Sequence, residues 1–181
     1  ANTWNGLTLN TTQNAQVFGN VSSGNLSLGI AVEPGSSNIQ IYGNIVGMDS
    51  TGSALLSNQK SGILIDKSSY VTIGGETEAR RNIISGNGEF GIVISNIESI
   101  HNIISGNYIG INRSGTTVFS NGHAGIGIFN GASSNRIGGD SVYERNVIAG
   151  NMDQGINIGG YANEVINNYI GIDPTGIIPM G

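Results

Sequence analysis

Gly-Asn-Ile-Val-Gly-Met-Asp-Ser-Thr-Gly (43–52) decides the fold, because it returns twice. Residues 106–115 read Gly-Asn-Tyr-Ile-Gly-Ile-Asn-Arg-Ser-Gly, and residues 167–176 read Asn-Asn-Tyr-Ile-Gly-Ile-Asp-Pro-Thr-Gly. The copies lie 63 and 61 residues apart. Arg-Asn-Ile-Ile-Ser-Gly-Asn (81–87) likewise returns as Arg-Asn-Val-Ile-Ala-Gly-Asn (145–151), 64 residues on. A finer motif, Gly followed by aliphatics at alternate positions, starts at Gly6, Gly29, Gly62, Gly91, Gly125 and Gly155. These starts make a basic unit of about 30 residues, and two alternating units make the longer period.

Each unit reads as three short strands. The first carries Leu7/Leu9, Ile30/Val32, Ile63/Ile65, Ile92/Ile94, Ile126/Ile128 and Ile156/Ile158. Period-two alternation puts both aliphatics on one face. The second strand places Val17, Ile41, Ile73, Ile104, Ile137 and Val165 inward, and the third Val46, Ile84, Ile109, Ile148 and Ile170, with Ser22 in the weaker first unit. Three strands per unit, unit stacked on unit, predict an all-β parallel β-helix with rungs ~4.8 Å apart. A propeller blade needs ~40–50 residues and a leucine-rich repeat needs Leu at fixed offsets. The whole chain, 1–181, then forms one solenoid domain of six rungs, with double-rung repeats near 6–61, 62–124 and 125–181 and no capping helix.

Asparagine also falls in columns. One opens the third strand of every unit: Asn20, Asn44, Asn82, Asn107, Asn146 and Asn168. Stacked there, the side chains bond to each other and to corner backbone groups. A shorter set, Asn102, Asn135 and Asn163, points inward by phase in the last three units, where the first three carry Ala15, Ile39 and Val71. A buried amide ladder is expected in that half.

Asn-Arg-Ile-Gly-Gly (135–139), residues 145–151 and Asn-Tyr-Ile-Gly-Ile (107–111) resemble right-handed parallel β-helix repeats of the pectin-lyase-like superfamily, over about residues 29–176 and more weakly 6–28. The resemblance implies a right-handed solenoid and a bacterial secreted or surface protein. It leaves activity open, since members include polysaccharide lyases, hydrolases, epimerases, adhesins and structural arrays.

Composition agrees with the stacking pattern. The 181 residues include 30 Gly, 28 Ile and 24 Asn, with only 10% charged residues. Only 3 Pro and no G-X-Y period exclude collagen. An Ile-rich chain of low charge buries a core and is not disordered. No apolar stretch approaches the ~20 residues of a membrane helix, so membrane insertion is not expected. Net charge −5 without a basic stripe argues against nucleic-acid binding. Zero Cys excludes disulfides, thiolate zinc sites and cysteine catalysis. The first residue is Ala, which suits a processed secreted chain as well as an excised segment. An extracellular or cell-surface location is the expectation.

The residue types for catalysis are sparse. Polygalacturonase-like members use clustered carboxylates with Gly-His-Gly and Arg-x-Lys; here stands Gly122-His123-Ala124, with no Arg-x-Lys. Glu76 with Glu78, and Asp140 with Glu144, share equivalent loops beside Arg80, Arg81 and Arg145, a pattern for surface ion pairs or for a glycosidase pair. Asp49, Asn112 and Asp173 repeat before x-Ser/Thr-Gly and read as type I turns rather than a metal row, since they lie two rungs apart. Thr8, Thr11 and Thr12 are the only dense Thr stretch and make no ice-binding array. No catalytic residue, metal or cofactor is expected. Tyr108 and Tyr169 are candidate sugar contacts, or else underlie the loop after strand three. Asn10, Asn25 and Asn112 are candidate glycosylation sites, while Asn20, also in a sequon, belongs to the corner ladder.

The two termini are in phase. Residues 171–181 stop where 110–120 run on into Asn121, and Ala1-Asn-Thr-Trp-Asn-Gly6 supplies the continuation. Head-to-tail stacking of copies fits this, as does excision from a longer array. Asn2, Trp4, Leu7, Leu9, Ile177, Ile178, Pro179 and Met180 are the expected junction residues. The leading expectation is a non-enzymatic structural β-helix that partners itself. The alternatives are a carbohydrate-binding or polysaccharide-processing module, with surface polysaccharide as partner, and an adhesin passenger segment.

Overall fold

The computed structural model describes residues 1–181. It contains 18 strands in three six-stranded sheets, every strand pairing parallel to its equivalents in the neighbouring rungs. The first sheet stacks Leu7–Leu9, Ile30–Val32, Ile63–Asp66, Ile92–Ser95, Ile126–Phe129 and Ile156–Ile158. The second stacks Gln16–Phe18, Gln40–Tyr42, Thr72–Gly74, Ile103–Ser105, Arg136–Gly138 and Glu164–Ile166. The third stacks the two-residue strands Val21–Ser22, Ile45–Val46, Ile83–Ile84, Tyr108–Ile109, Val147–Ile148 and Tyr169–Ile170. One strand of each per turn of chain makes a parallel β-helix of six rungs.

The register keeps the inward columns intact. Val17, Ile41, Ile73, Ile104, Ile137 and Val165 are successive partners, as are Ser22, Val46, Ile84, Ile109, Ile148 and Ile170. All of these except Ser22, Val165 and Ile170 in the two end rungs join first-sheet aliphatics in a core cluster of 20 buried residues, almost all Ile or Val. A buried side chain of that size contributes ~1.5–3 kcal/mol. β-branched side chains suit such columns because they are stiff at χ1 and pack on the pleat.

Even and odd rungs differ, which explains the double period. After the third strand of rungs two, four and six the chain makes a hairpin, closed by the antiparallel bridges Met48↔Leu55, Ile111↔Val118 and Ile172↔Pro179. Each hairpin leans over the preceding odd rung: Gly24 N donates to Leu56 O at 2.8 Å, and Gly86 N to Phe119 O at 2.9 Å. A second buried cluster forms beneath them on the outer face of the third sheet, from Ile45, Met48, Ile83, Tyr108, Ile111, Val147, Ala149 and Met180. Rungs three and five carry the other insert, between second and third strands, and the first of these includes a single 3-10 turn at Glu78–Arg80. No helix is long and apolar enough to cross a membrane.

Candidate functional site

Three asparagine ladders dominate the polar interior. In the corner ladder each Nδ2 donates to the Oδ1 of the next rung: Asn20 to Asn44 at 3.1 Å, Asn44 to Asn82 at 3.0 Å, Asn82 to Asn107 at 2.8 Å, Asn107 to Asn146 at 3.0 Å and Asn146 to Asn168 at 2.8 Å. The backbone N–H of each also donates to that same Oδ1, as from Asn44 to Asn82 at 2.9 Å. The second Nδ2 proton goes back to the preceding rung, as from Asn107 to Ile73 O at 2.9 Å. Every polar atom of a buried amide is thereby paired, as burial demands. The inner ladder, Asn102 to Asn135 at 2.9 Å and Asn135 to Asn163 at 3.1 Å, repeats this geometry and occupies the half of the helix expected from the sequence.

A third ladder was not anticipated. It runs Asn2, Asn25, Asn58, Asn87, Asn121, Asn151, with side-chain distances of 2.8–2.9 Å throughout. Its signal is in the sequence: each member stands four residues before the Gly that opens the first strand. One expectation changes as a result. Asn25 is buried within this ladder, its Nδ2 donating to Asn58, so it is no glycan acceptor in the folded chain. Asn2 caps the ladder within its own chain.

The hairpin position also uses its side chain. Asp49 Oδ1 accepts the N–H groups of Ser53 at 2.9 Å and Ala54 at 3.1 Å, and Asp173 Oδ1 accepts those of Ile177 at 3.1 Å and Ile178 at 3.0 Å. Asn112 does the same for Thr116 and Thr117, and Asn112 is buried, so this sequon too is engaged; Asn10 is exposed. The turn reading holds, with Gly52, Gly115 and Gly176 donating to the first turn residue at 2.9, 3.0 and 2.9 Å. The Asp49 carboxyl is held below its ordinary pKa by the Ser53 N–H, the Thr51 hydroxyl and the Ala54 N–H. For Asp173 burial is the largest influence and pushes upward, but the Ile178 N–H, the Thr175 hydroxyl and the Ile177 N–H together outweigh it.

Tyr108 and Tyr169, the candidate sugar contacts, are covered. Tyr108 is only 8% exposed, with the Arg81 guanidinium 4.1 Å above its ring, and burial pushes its phenol pKa up. Arg145 lies 4.0 Å over Tyr169. Their rings lie on the outer face of the third sheet, carry the cation–π contacts and pack beneath the hairpins, which is the loop-underlying alternative that the sequence offered for them. Phe18 stacks on Tyr42 at 5.2 Å and 4°, and Arg80 covers Tyr42 at 4.6 Å.

The acidic loops are paired locally. Glu78 meets Arg81 at 3.4 Å, and Asp140 meets Arg136 at 2.8 Å. Glu144 accepts the Ser141 N–H at 2.9 Å. Glu76, Arg80 and Glu144 line a 470 Å³ surface trough with Thr72, Ile103 and Ser105, and a 420 Å³ trough beside it holds His101, Arg136 and Glu164. His123 Nδ1 lies 3.0 Å from Asp153 in the neighbouring rung. No three His, Asp or Glu side chains converge as metal ligands.

At the two faces of the stack, inward residues stand open. Ile158, Val165 and Ile170 of rung six are 38%, 44% and 48% exposed, and Leu7 and Leu9 of rung one are half-buried. Trp4, Ile177, Ile178 and Pro179 are exposed. Met180, expected at a junction, instead packs inside its own chain, its N–H donating to Gly171 O at 2.8 Å and its side chain joining the second cluster. The hairpin carries it back over rung five.

No protein-family model, no curated protein sequence and no solved structure matches this chain.

Proposed function

We propose that the chain is a non-enzymatic structural β-helix of the secreted or cell-surface kind, related to the pectin-lyase-like repeats, that stacks head to tail on copies of itself. The observation that carries this reading is the polarity of the ladders. From one ladder amide to the next, every Nδ2–Oδ1 bond is donated in one direction, from rung one towards rung six. Rung six therefore offers the N–H groups of Asn151 and Asn168, and rung one offers the Oδ1 atoms of Asn2 and Asn20. Donors meet acceptors only when rung six faces rung one. Continued register also sets Ile156 on Leu7, Ile158 on Leu9 and Val165 on Val17 of the next copy. Such a contact does not close and gives a filament.

Negative-stain microscopy and sedimentation over a concentration series test this. Rods one solenoid wide are expected, and apolar columns make their formation depend little on salt. Only single dispersed particles at high concentration would overturn it.

A second reading rests on the paired troughs over the second sheet, whose Glu76, Arg80, Arg136 and Glu164 offer polar groups to an acidic polysaccharide. Glycan arrays with lyase and hydrolase assays separate the two. Binding or cleavage lost in Glu76→Gln favours this second reading.

A further inference from the structure

Four Asn-Gly pairs occur in the chain, at 5–6, 87–88, 121–122 and 130–131. Such a pair is chemically exposed in principle, because a following residue without Cβ lets its backbone nitrogen approach the asparagine side chain. Three of the four are held in place. Gly6 N donates to Leu28 O at 2.9 Å, and Asn5 Oδ1 accepts the Leu28 N–H at 3.2 Å. Gly88 N donates to Asn58 O at 2.9 Å and Gly122 N to Asn87 O at 2.8 Å, while Asn87 and Asn121 are buried ladder members.

The fourth pair differs in each respect. Asn130 and Gly131 are the central residues of the turn closed by Ala132 N and Phe129 O at 3.1 Å, with φ of 54° and 83°. Asn130 is exposed and belongs to no ladder. Gly131 N donates no hydrogen bond, and the one contact of the Asn130 amide nitrogen is to Ser95 Oγ at 2.9 Å. We propose that Asn130 is a site of spontaneous deamidation, and that the ladders and rung hydrogen bonds protect the other three pairs.

In this step the Gly131 nitrogen attacks Cγ of Asn130 and a C–N bond forms. The Cγ–Nδ2 bond breaks, and Nδ2 departs as ammonia with the proton from Gly131. Water then opens the five-membered imide at either carbonyl, giving aspartate or isoaspartate, with no oxidant or reductant involved. The product places a carboxylate beside Ser95, one rung from the Asn96–Asp66 hydrogen bond. The isoaspartate form also lengthens the main chain by one carbon inside a tight turn. This inference stands apart from the stacking proposal, since the turn lies on the side of rung five.

The test is incubation of the full folded chain at mildly alkaline pH, followed by peptide mapping by mass spectrometry. Asn130 is expected to convert at least about tenfold faster than Asn5, Asn87 or Asn121, whose reaction needs local opening of a rung. In denaturant all four are expected to convert at similar rates. Conversion of a ladder asparagine before Asn130, or one common rate for all four in the folded chain, would overturn the proposal.

Discussion

At the scale of single residues, the asparagines divide by what their amides do. Fifteen of the 24 stand in ladders, where a neutral side chain with two donors and a two-lone-pair acceptor matches a stack repeating along one axis. Aspartate in such a column would set like charges one rung apart, against the rule for stacked pairs. The hairpin position shows the converse, for Asn112 stands where Asp49 and Asp173 stand and accepts the same two N–H groups. Charge is therefore dispensable there, and its presence makes the fold acid-sensitive. Both carboxyls are depressed in the folded state, so their stabilisation is complete above the unfolded value of about 3.9 and fades as pH falls through the lower folded value. The double variant Asp49→Asn, Asp173→Asn should lose less of its thermal midpoint between about pH 4 and about pH 2 than the parent. Calorimetry across that range decides it, and an equal loss in both proteins would refute the assignment.

At the scale of elements, the first-strand glycines have a role other than turn flexibility. Gly29, Gly62, Gly91 and Gly125 do not adopt left-handed backbone. What they lack is room: a Cβ on Gly91 would lie 2.6 Å from Gly125 O and 2.8 Å from Ile109 Cγ2, and the same contacts recur one rung down for Gly62. The glycine lets the first strand approach the third-strand aliphatic and the next rung together. Gly91→Ala should cost about 1–3 kcal/mol in denaturant unfolding, as overpacking does. Gly159→Ala, where the nearest atom would be 3.5 Å away, should be nearly neutral. Equal effects would mean the glycines matter only through chain flexibility. The strands themselves were legible, because each carries its inward aliphatic at a fixed offset from a glycine or asparagine. The corner ladder was legible for the same reason. The Asn25 ladder is harder to see because its members stand five residues before the next strand, whereas each corner asparagine directly precedes one, although their spacing to the next Gly is constant. Tyr108 stayed open between sugar contact and loop packing because its cover comes from elsewhere: Arg81 reaches it from the preceding rung, and Gly115 on the hairpin abuts its ring. Strand periodicity does not report contacts made by inserts.

At the scale of the whole molecule, the unit that repeats is two rungs, and the inserts say why. A hairpin from each even rung lies over the odd rung before it, so neighbouring rungs cannot both carry one. The two-rung unit also conserves all three ladders' direction and the arginine-over-tyrosine contact, made by Arg81 on Tyr108 and again by Arg145 on Tyr169. A solenoid whose rungs touch only their neighbours should tolerate loss of a complete unit and not of half of one. Removing 62–124 joins rung two to rung five: Ile41 meets Ile137, Asn44 meets Asn146, and Asn58 meets Asn151, each pair repeating a contact type already present. Removing only 62–90 leaves the hairpin of rung four with no odd rung to cover, and drives it onto the hairpin of rung two. The four-rung chain should therefore keep a β-type circular dichroism spectrum and melt in one transition at a lower temperature. The five-rung chain, though longer, should be unfolded or aggregated. If the five-rung chain instead melts above the four-rung one, the inserts are ornaments on a single-rung repeat and the two-rung unit has no energetic meaning.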